Sequence, residues 1–317
     1  MPSVPSKIDP RWTFAHLKLL SQYFRCREGE KFVGHSAAQW RGALGESCEE
    51  AFERLIGAGL IAACSLQERL DSTVPYGKAK QMLRDRGLKA SGRKTEMIER
   101  LWEADVEAMR RIVAEVHLFR CTESGQQLAK SFLEYCNEME RTAFGALRER
   151  NVNLAFRVVC DFEDSLGFPE NPSFPSKPDI SNVRCVFAVK PKILATVSEE
   201  VLEHLRVAAA MAFLGIGGSW LPDGLRTGLA MKNEVAVRMI VFHVQSSREV
   251  EQEKQHADLV SEVSVVFASE EPYPPCDACR ALKDKRWDLG EQPELPYEHC
   301  IHDMGCRCSY EFVYRGE

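Results

Sequence analysis

Five of the twelve cysteines fall in the last 42 residues, at Cys276, Cys279, Cys300, Cys306 and Cys308, with His299, His302 and Asp303 among them. Two thiols separated by two residues form a knuckle that aims both sulfurs at one ion, and a distant second pair closes a tetrahedral shell. Zn2+ suits such donors in a reducing compartment. Five cysteines and two histidines exceed four places, so the expected ligands are Cys276, Cys279, Cys306 and one of Cys300 or Cys308, with His302 as the main substitute. Unligated thiols and a redox pair are the other readings of the same residues. The remaining seven cysteines are scattered singly and read as small buried hydrophobes.

A second concentration of chemistry is cationic. From Lys78 to Lys94 the chain carries Lys78, Lys80, Arg84, Arg86, Lys89, Arg93 and Lys94 against the single acid Asp85, in a protein whose net charge is -6. Such a patch points to a polyanionic partner. A helix beginning after Ser91-Gly92 would add free N–H donors and a positive dipole end to Arg93 and Lys94, which is the make-up of a phosphate site. Phosphate contact alone reads little sequence.

Two other groups could do chemistry. Asp161, Glu163 and Asp164 form a carboxylate cluster able to hold Mg2+ for phosphodiester cleavage, although such a run more often makes a solvated face. His299, His302 and Asp303 could belong to a histidine–metal nuclease, but the adjacent cysteines suffice to close the shell and favour a structural site. The chain contains no P-loop, dinucleotide glycine string, nucleophile elbow or HExxH. No catalytic residue is assigned, and an enzyme is the less favoured reading.

The elements that must position these residues follow from periodicity. In Tyr76 to Asp105, Ala79, Met82 and Leu83 make one apolar stripe, Gly87-Leu88 ends that helix, and Met97, Ile98 and Leu101 make the stripe of a second. This helix-loop-helix resembles the SAP domain, a small DNA-binding and sometimes RNA-binding module. The likeness rests on Leu83, Arg86-Gly87-Leu88, Ser91-Gly92-Arg93-Lys94, Met97-Ile98 and Arg100-Leu101; the family usually has Leu where this chain has Ala79. It implies nucleic-acid contact through Lys78, Lys80, Arg84, Arg86, Lys89, Ser91, Gly92, Arg93 and Lys94, with DNA favoured over RNA. Around it, residues 51–61 look like the end of a winged-helix recognition segment. His117 to Gly125 looks like the strand and T-x-x-G turn after its wing, so that the SAP-like hairpin replaces or extends the wing; a plain helical bundle is the competing reading.

The C-terminal cysteine run resembles that of phage minor head (Mu F-like) proteins, in which a CxxC, a turn containing glycine and a terminal C-R-C recur. Lys283-Asp284-Lys285 departs from that turn. This likeness implies a bacterial or phage-related protein, metal-stabilised folding, and a head or assembly role as a further alternative.

The whole is expected to be mixed α+β and multi-domain, with a mainly helical N-terminal half. Residues 1–70 read as a helical, winged-helix-like segment behind a frayed leader, 71–105 as the SAP-like module, and 106–167 as a helical continuation. A proline-rich linker follows at 168–180, then a mixed domain at 181–270 and a zinc-binding segment at 271–317. Within the mixed domain, Val183 to Val189 reads as a strand, Thr196 as the cap of a helix, Glu234 to Val244 as helix or strand, and Val260 to Ala268 as a strand. The apolar helix from Val201 to Phe213 fits either a core or an interface with a protein partner or second copy. The longest uncharged stretch, Val207 to Pro222, has 16 residues, too few for a membrane helix, which needs about 20. A cytoplasmic protein without membrane contact is expected.

Overall fold

The computed structural model describes residues 11–29, 35–169, 178–267 and 274–315. The chain divides into two compact units, Met1–Met139 with Asp161–Pro175, and Glu140–Cys160 with Ser176–Glu317. The expected leader at 1–10, and the linker prolines Pro172 and Pro175, lie outside the described residues.

The first unit opens with α1 (Phe14–Ser21), β1 (Arg27–Glu28), α2 (Ala37–Leu44), α3 (Cys48–Gly57) and β2 (Ile61–Ala63). It continues through α4 (Leu66–Thr73), α5 (Tyr76–Asp85), α6 (Lys94–Ala104), α7 (Val106–Ile112) and β3 (Leu118–Cys121); α8 (Glu123–Arg148) and α9 (Val152–Leu166) follow, each divided between the two units. Helix starts are written in the sequence: Thr13, Ser36, Ser47 and Ser65 each accept the N–H of the third helical residue, and that residue's side chain returns the bond. Leu17, Leu19, Leu20, Tyr23, Trp40 and Leu55 fill the core. Phe168, where the linker was expected to begin, stacks on His35 at 3.9 Å and meets Trp40 edge-on at 4.9 Å.

The three strands form an antiparallel sheet in the order β1-β3-β2. Ile61 faces Cys121 and Arg27 faces Phe119. Strands β2 and β3 are neighbours in this sheet, yet α4 to α7 lie between them in sequence. The helical module is therefore inserted into a hairpin. Strand β3 rules out the plain helical bundle.

The T-x-x-G turn closes the hairpin from outside. Thr122 donates its N–H to the Leu60 carbonyl (3.0 Å) and its hydroxyl to the Gly59 carbonyl (2.6 Å), while Gly125 donates its N–H to the Thr122 hydroxyl (3.2 Å).

The second unit contains α10 (Ile180–Val186), α11 (Glu199–Phe213), α12 (Asn233–Lys254), β4 (Val260–Phe267), α13 (Asp277–Arg280), β5 (Arg286–Trp287) and β6 (Cys308–Tyr314). A second antiparallel sheet has the order β5-β4-β6. Two expectations are corrected here. The segment read as a strand from Val183 is helix α10, because Asp179 caps it by accepting the Ser181 N–H at 2.8 Å, and Val183 and Val186 bury on one helical face. Helix α11 begins after Ser198, which accepts the Val201 N–H, rather than at Thr196. The segment from Glu234 resolves as helix, and β4 matches the expected strand. Leu202, Leu205 and Ala208 to Met211 are buried within the chain, so the apolar face of α11 serves a core. The class is mixed α+β, as expected, with thirteen α-helices among the described residues. None of the described helices is long and apolar enough to cross a membrane.

Candidate nucleic-acid interface and cysteine centre

Leu70, Val74, Ala79, Leu83, Met97, Ile98, Leu101, Met109 and Val113 make one buried cluster. The helix-loop-helix legible in the sequence thus does not bury its stripes alone; α4 and α7, which pack on α6 and on each other, complete its core. Gly87 (φ 66°) ends α5 in the left-handed conformation expected of that Gly-Leu step. Gly92 (φ 114°) is required by its backbone angle, and it lies close under the Glu96 carboxylate and the Arg100 guanidinium.

The loop between α5 and α6 is stapled from α6. Arg100 donates to the carbonyls of Lys89 and, at 2.6 Å, of Ser91. Glu96 accepts the Arg93 backbone N–H at 3.2 Å and the Arg93 Nε at 2.8 Å, and this side-chain bond to Arg93 holds its carboxyl below the usual range. The start of α6 therefore already carries one carboxylate. Lys94 turns inward, its ammonium donating to the Asp71 carbonyl with Asp71 Oδ1 at 3.9 Å. Arg86 donates to the Met82 carbonyl at 3.1 Å and lies 3.6 Å from Asp105.

The basic residues thus separate into two sets. Arg86, Arg93 and Lys94 have acidic neighbours. Lys78, Lys80, Arg84 and Lys89 have no acidic partner within 4.0 Å among the described residues, and all but the half-buried Lys80 are exposed. Ser91 and Gly92 are exposed at the loop tip. Arg100, as the residue that fixes the loop, was not singled out from the sequence; its signal was a base seven residues beyond Arg93, two helical turns along α6.

The C-terminal cysteines come together as the spacing demands. The sulfurs of Cys276, Cys279 and Cys300 lie within 4.8 Å of one another, as do those of Cys279, Cys306 and Cys308. Cys279 belongs to both groups. Cys276 Sγ is 3.9 Å from Cys300 Sγ, and the Tyr297 N–H donates to Cys306 Sγ at 3.3 Å. Cys279, Cys300, Cys306 and Cys308 are buried and Cys276 is half-buried. Their titration is linked: hydrogen bonds from the thiols of Cys279, Cys300 and Cys308 pull Cys306 far below the ordinary thiol range, while hydrogen bonds with Cys279 and Cys306 and then burial push Cys300 up. Burial opposes ionisation of Cys276, yet the N–H groups of Cys279 and Ile301 leave it below its ordinary value. A thiophilic cation at this cluster would displace the thiol protons.

A cavity of about 20 Å³ lies at this cluster, lined by cysteines 276, 279, 300 and 308 with His302, Gly305 and Arg307. The volume suits a single ion or water. His302 stands in the wall outside both sulfur groups; its Nδ1 accepts the Met304 N–H at 3.0 Å and is 3.2 Å from Asp303. Gly305 holds the loop onto α12, since a Cβ there would come within 2.6 Å of Met239. His299 packs against Tyr297, ring centroids 5.3 Å apart.

The acidic cluster lies along α9, with Asp161 and Asp164 exposed and Glu163 half-buried. Burial raises the Glu163 carboxyl above its usual range, offset in part by Lys18. The metal-competent groups found among the described residues contain cysteine only.

Residues 80–105 match the model of the SAP domain. No curated protein and no solved structure matches the chain.

Proposed function

We propose that this protein binds nucleic acid, DNA in the first instance, through the cationic face of its SAP module, and that a zinc ion held by the C-terminal thiolates builds the arm of the second unit. The observation that carries the first part is the SAP match on a folded helix-loop-helix whose Lys78, Lys80, Arg84 and Lys89 are left without acidic partners among the described residues. Such cations gain by displacing counterions from phosphates. Zinc is supported by the donor set and by spacing: a tetrahedral ion with Zn–S of about 2.3 Å places sulfurs about 3.8 Å apart, and Cys276 and Cys300 stand at 3.9 Å. A reducing, cytoplasmic setting suits twelve free thiols.

The host of the module fits a winged helix. Its order of α1, β1, α2, α3, β2 and β3, with β3 central in the sheet, supports that reading, and the inserted helices then occupy the place of the wing. The outward face of α3, where a reading helix would stand, exposes Glu49, Glu50 and Glu53 beside Arg54. That face repels phosphate, which supports transfer of the grip to the insertion. The phage head-protein likeness is carried only as far as the thiolate arm, because a site does not bring a whole function with it.

The test is fluorescence anisotropy of the full chain with a labelled blunt duplex. Reversing charge at Lys78, Lys80, Arg84 and Lys89 to Glu should remove measurable binding. Unchanged affinity would overturn the reading.

A further inference from the structure

The first unit contains an open groove of about 1020 Å³ between the inserted helices and the short sheet, which neither the duplex-binding face nor the thiolate arm uses. Helix α4 supplies Glu68 and Asp71 to it, the first turn of α6 supplies Lys94 and Thr95, β3 supplies Arg120, and the turn before β1 supplies Phe24 and Arg25. We propose that this groove holds unpaired nucleotides, with a base stacked on Phe24 and the strand's phosphates on Arg25. The proposal rests on the reading that the protein binds nucleic acid, and it names the form of nucleic acid that this second surface takes.

The rim carries the argument. The 3-10 turn Gln22–Phe24 sends Tyr23 into the core, where it is 1% exposed, and leaves Phe24 outside at 38%. Arg25 follows in extended conformation, exposed and without an acidic partner among the described residues. An aromatic face next to a free guanidinium is how proteins hold single strands, because every base has a face to stack and every nucleotide a phosphate.

Charge and size agree with that occupant. Two of the wall acids are answered locally, Glu68 by Arg120 and Asp71 by Lys94, and the third, the exposed Glu99, is matched in number by Arg25, so the groove as a whole carries no excess negative charge. A volume near 1000 Å³ is in the range of ligand-sized clefts. That volume is enough for a few nucleotides. Continuity supplies the last point: Lys94 and Thr95 belong both to the groove and to the matched segment 80–105. A strand leaving a duplex at the module's loop enters here.

Since the groove's charges nearly balance, stacking contributes more than counterion release, and single-strand binding should depend less on salt than duplex binding does. The experiment measures binding of the full chain to a blunt duplex, to the same duplex with a single-stranded overhang, and to single strands of DNA and RNA carrying 2-aminopurine. The overhang should bind more tightly than the blunt end, and 2-aminopurine emission should be quenched. Phe24→Ala should weaken single-strand affinity by about 5- to 150-fold, the range found when a stacking aromatic is truncated, with blunt-duplex affinity unchanged. Phe24→Trp should retain affinity and quenching. Single-strand binding that survives Phe24→Ala, or no single-strand binding at all, overturns the groove assignment while duplex binding by the module stands. Loss of duplex binding in the four-residue charge reversal with single-strand binding intact supports two separate surfaces. Absence of binding to every form overturns both readings.

Discussion

A methyl group at position 125 would collide with the Leu60 carbonyl, because the first turn of α8 lies directly against the backbone that leaves α3. The obstacle is backbone, which cannot swing aside as a side-chain tip can. Gly125→Ala should therefore cost about 1–3 kcal/mol, the range of overpacked cores, read as a lowered denaturation midpoint with an unchanged fold at low denaturant. His16 makes a second residue-level prediction. Its ring is buried, bonded to Thr13 and Glu46, with Arg54 alongside. Burial is the main cause that lowers its pKa below 6.5; the Arg54 charge adds to it, and the hydrogen bond and charge of Glu46 oppose it. The unfolded chain then takes up this proton first, so stability is full above 6.5 and declines as pH falls through that value. Urea midpoints should fall between about pH 7 and 5, and His16→Gln, which cannot ionise there, should flatten that slope.

Among the elements, the thiolate arm makes the sharpest prediction. Cys279 belongs to both sulfur groups, whereas Cys276 and Cys308 each belong to one. With five sulfurs for four positions, Cys276→Ser or Cys308→Ser should keep about one zinc per chain by chromogenic release, while Cys279→Ser should lose it. Chelation should melt the arm, seen as protease cleavage around α13, because ligand binding and folding are coupled in such sites. This arm was legible in advance because knuckle spacing is local. The same holds for α5 and α6, whose stripes and glycines at 87 and 92 lie within 30 residues. What escaped sequence reasoning depends on distant partners. Lys94 reads as a phosphate ligand until Asp71, 23 residues upstream, takes its ammonium. The strand-like valines of α10 become helical through the cap at Asp179 and the packing they find there.

At the scale of the whole molecule, a net charge of -6 surrounds a patch that the sequence alone would credit with seven cations. The structure divides that number, three with acidic neighbours and four without among the described residues. The division can be measured, since each neutralised phosphate contributes about -0.9 to the slope of log affinity against log salt on duplex DNA. Four effective cations give a slope near -3.6, or about a hundredfold loss between about 50 and 200 mM salt. Seven give a slope near -6 and almost four orders of magnitude over the same range. A titration of blunt-duplex binding should return the shallower slope. Glu96→Gln, which removes the opposing charge while its amide oxygen can still accept the Arg93 N–H as Gln39 does at α2, would then free Arg93 and steepen it by about one unit. A steep slope in the unmodified chain would mean that phosphate displaces Glu96, Asp71 and Asp105 from their bases on binding, and the acids would then act as competitors that the polyanion must outbid.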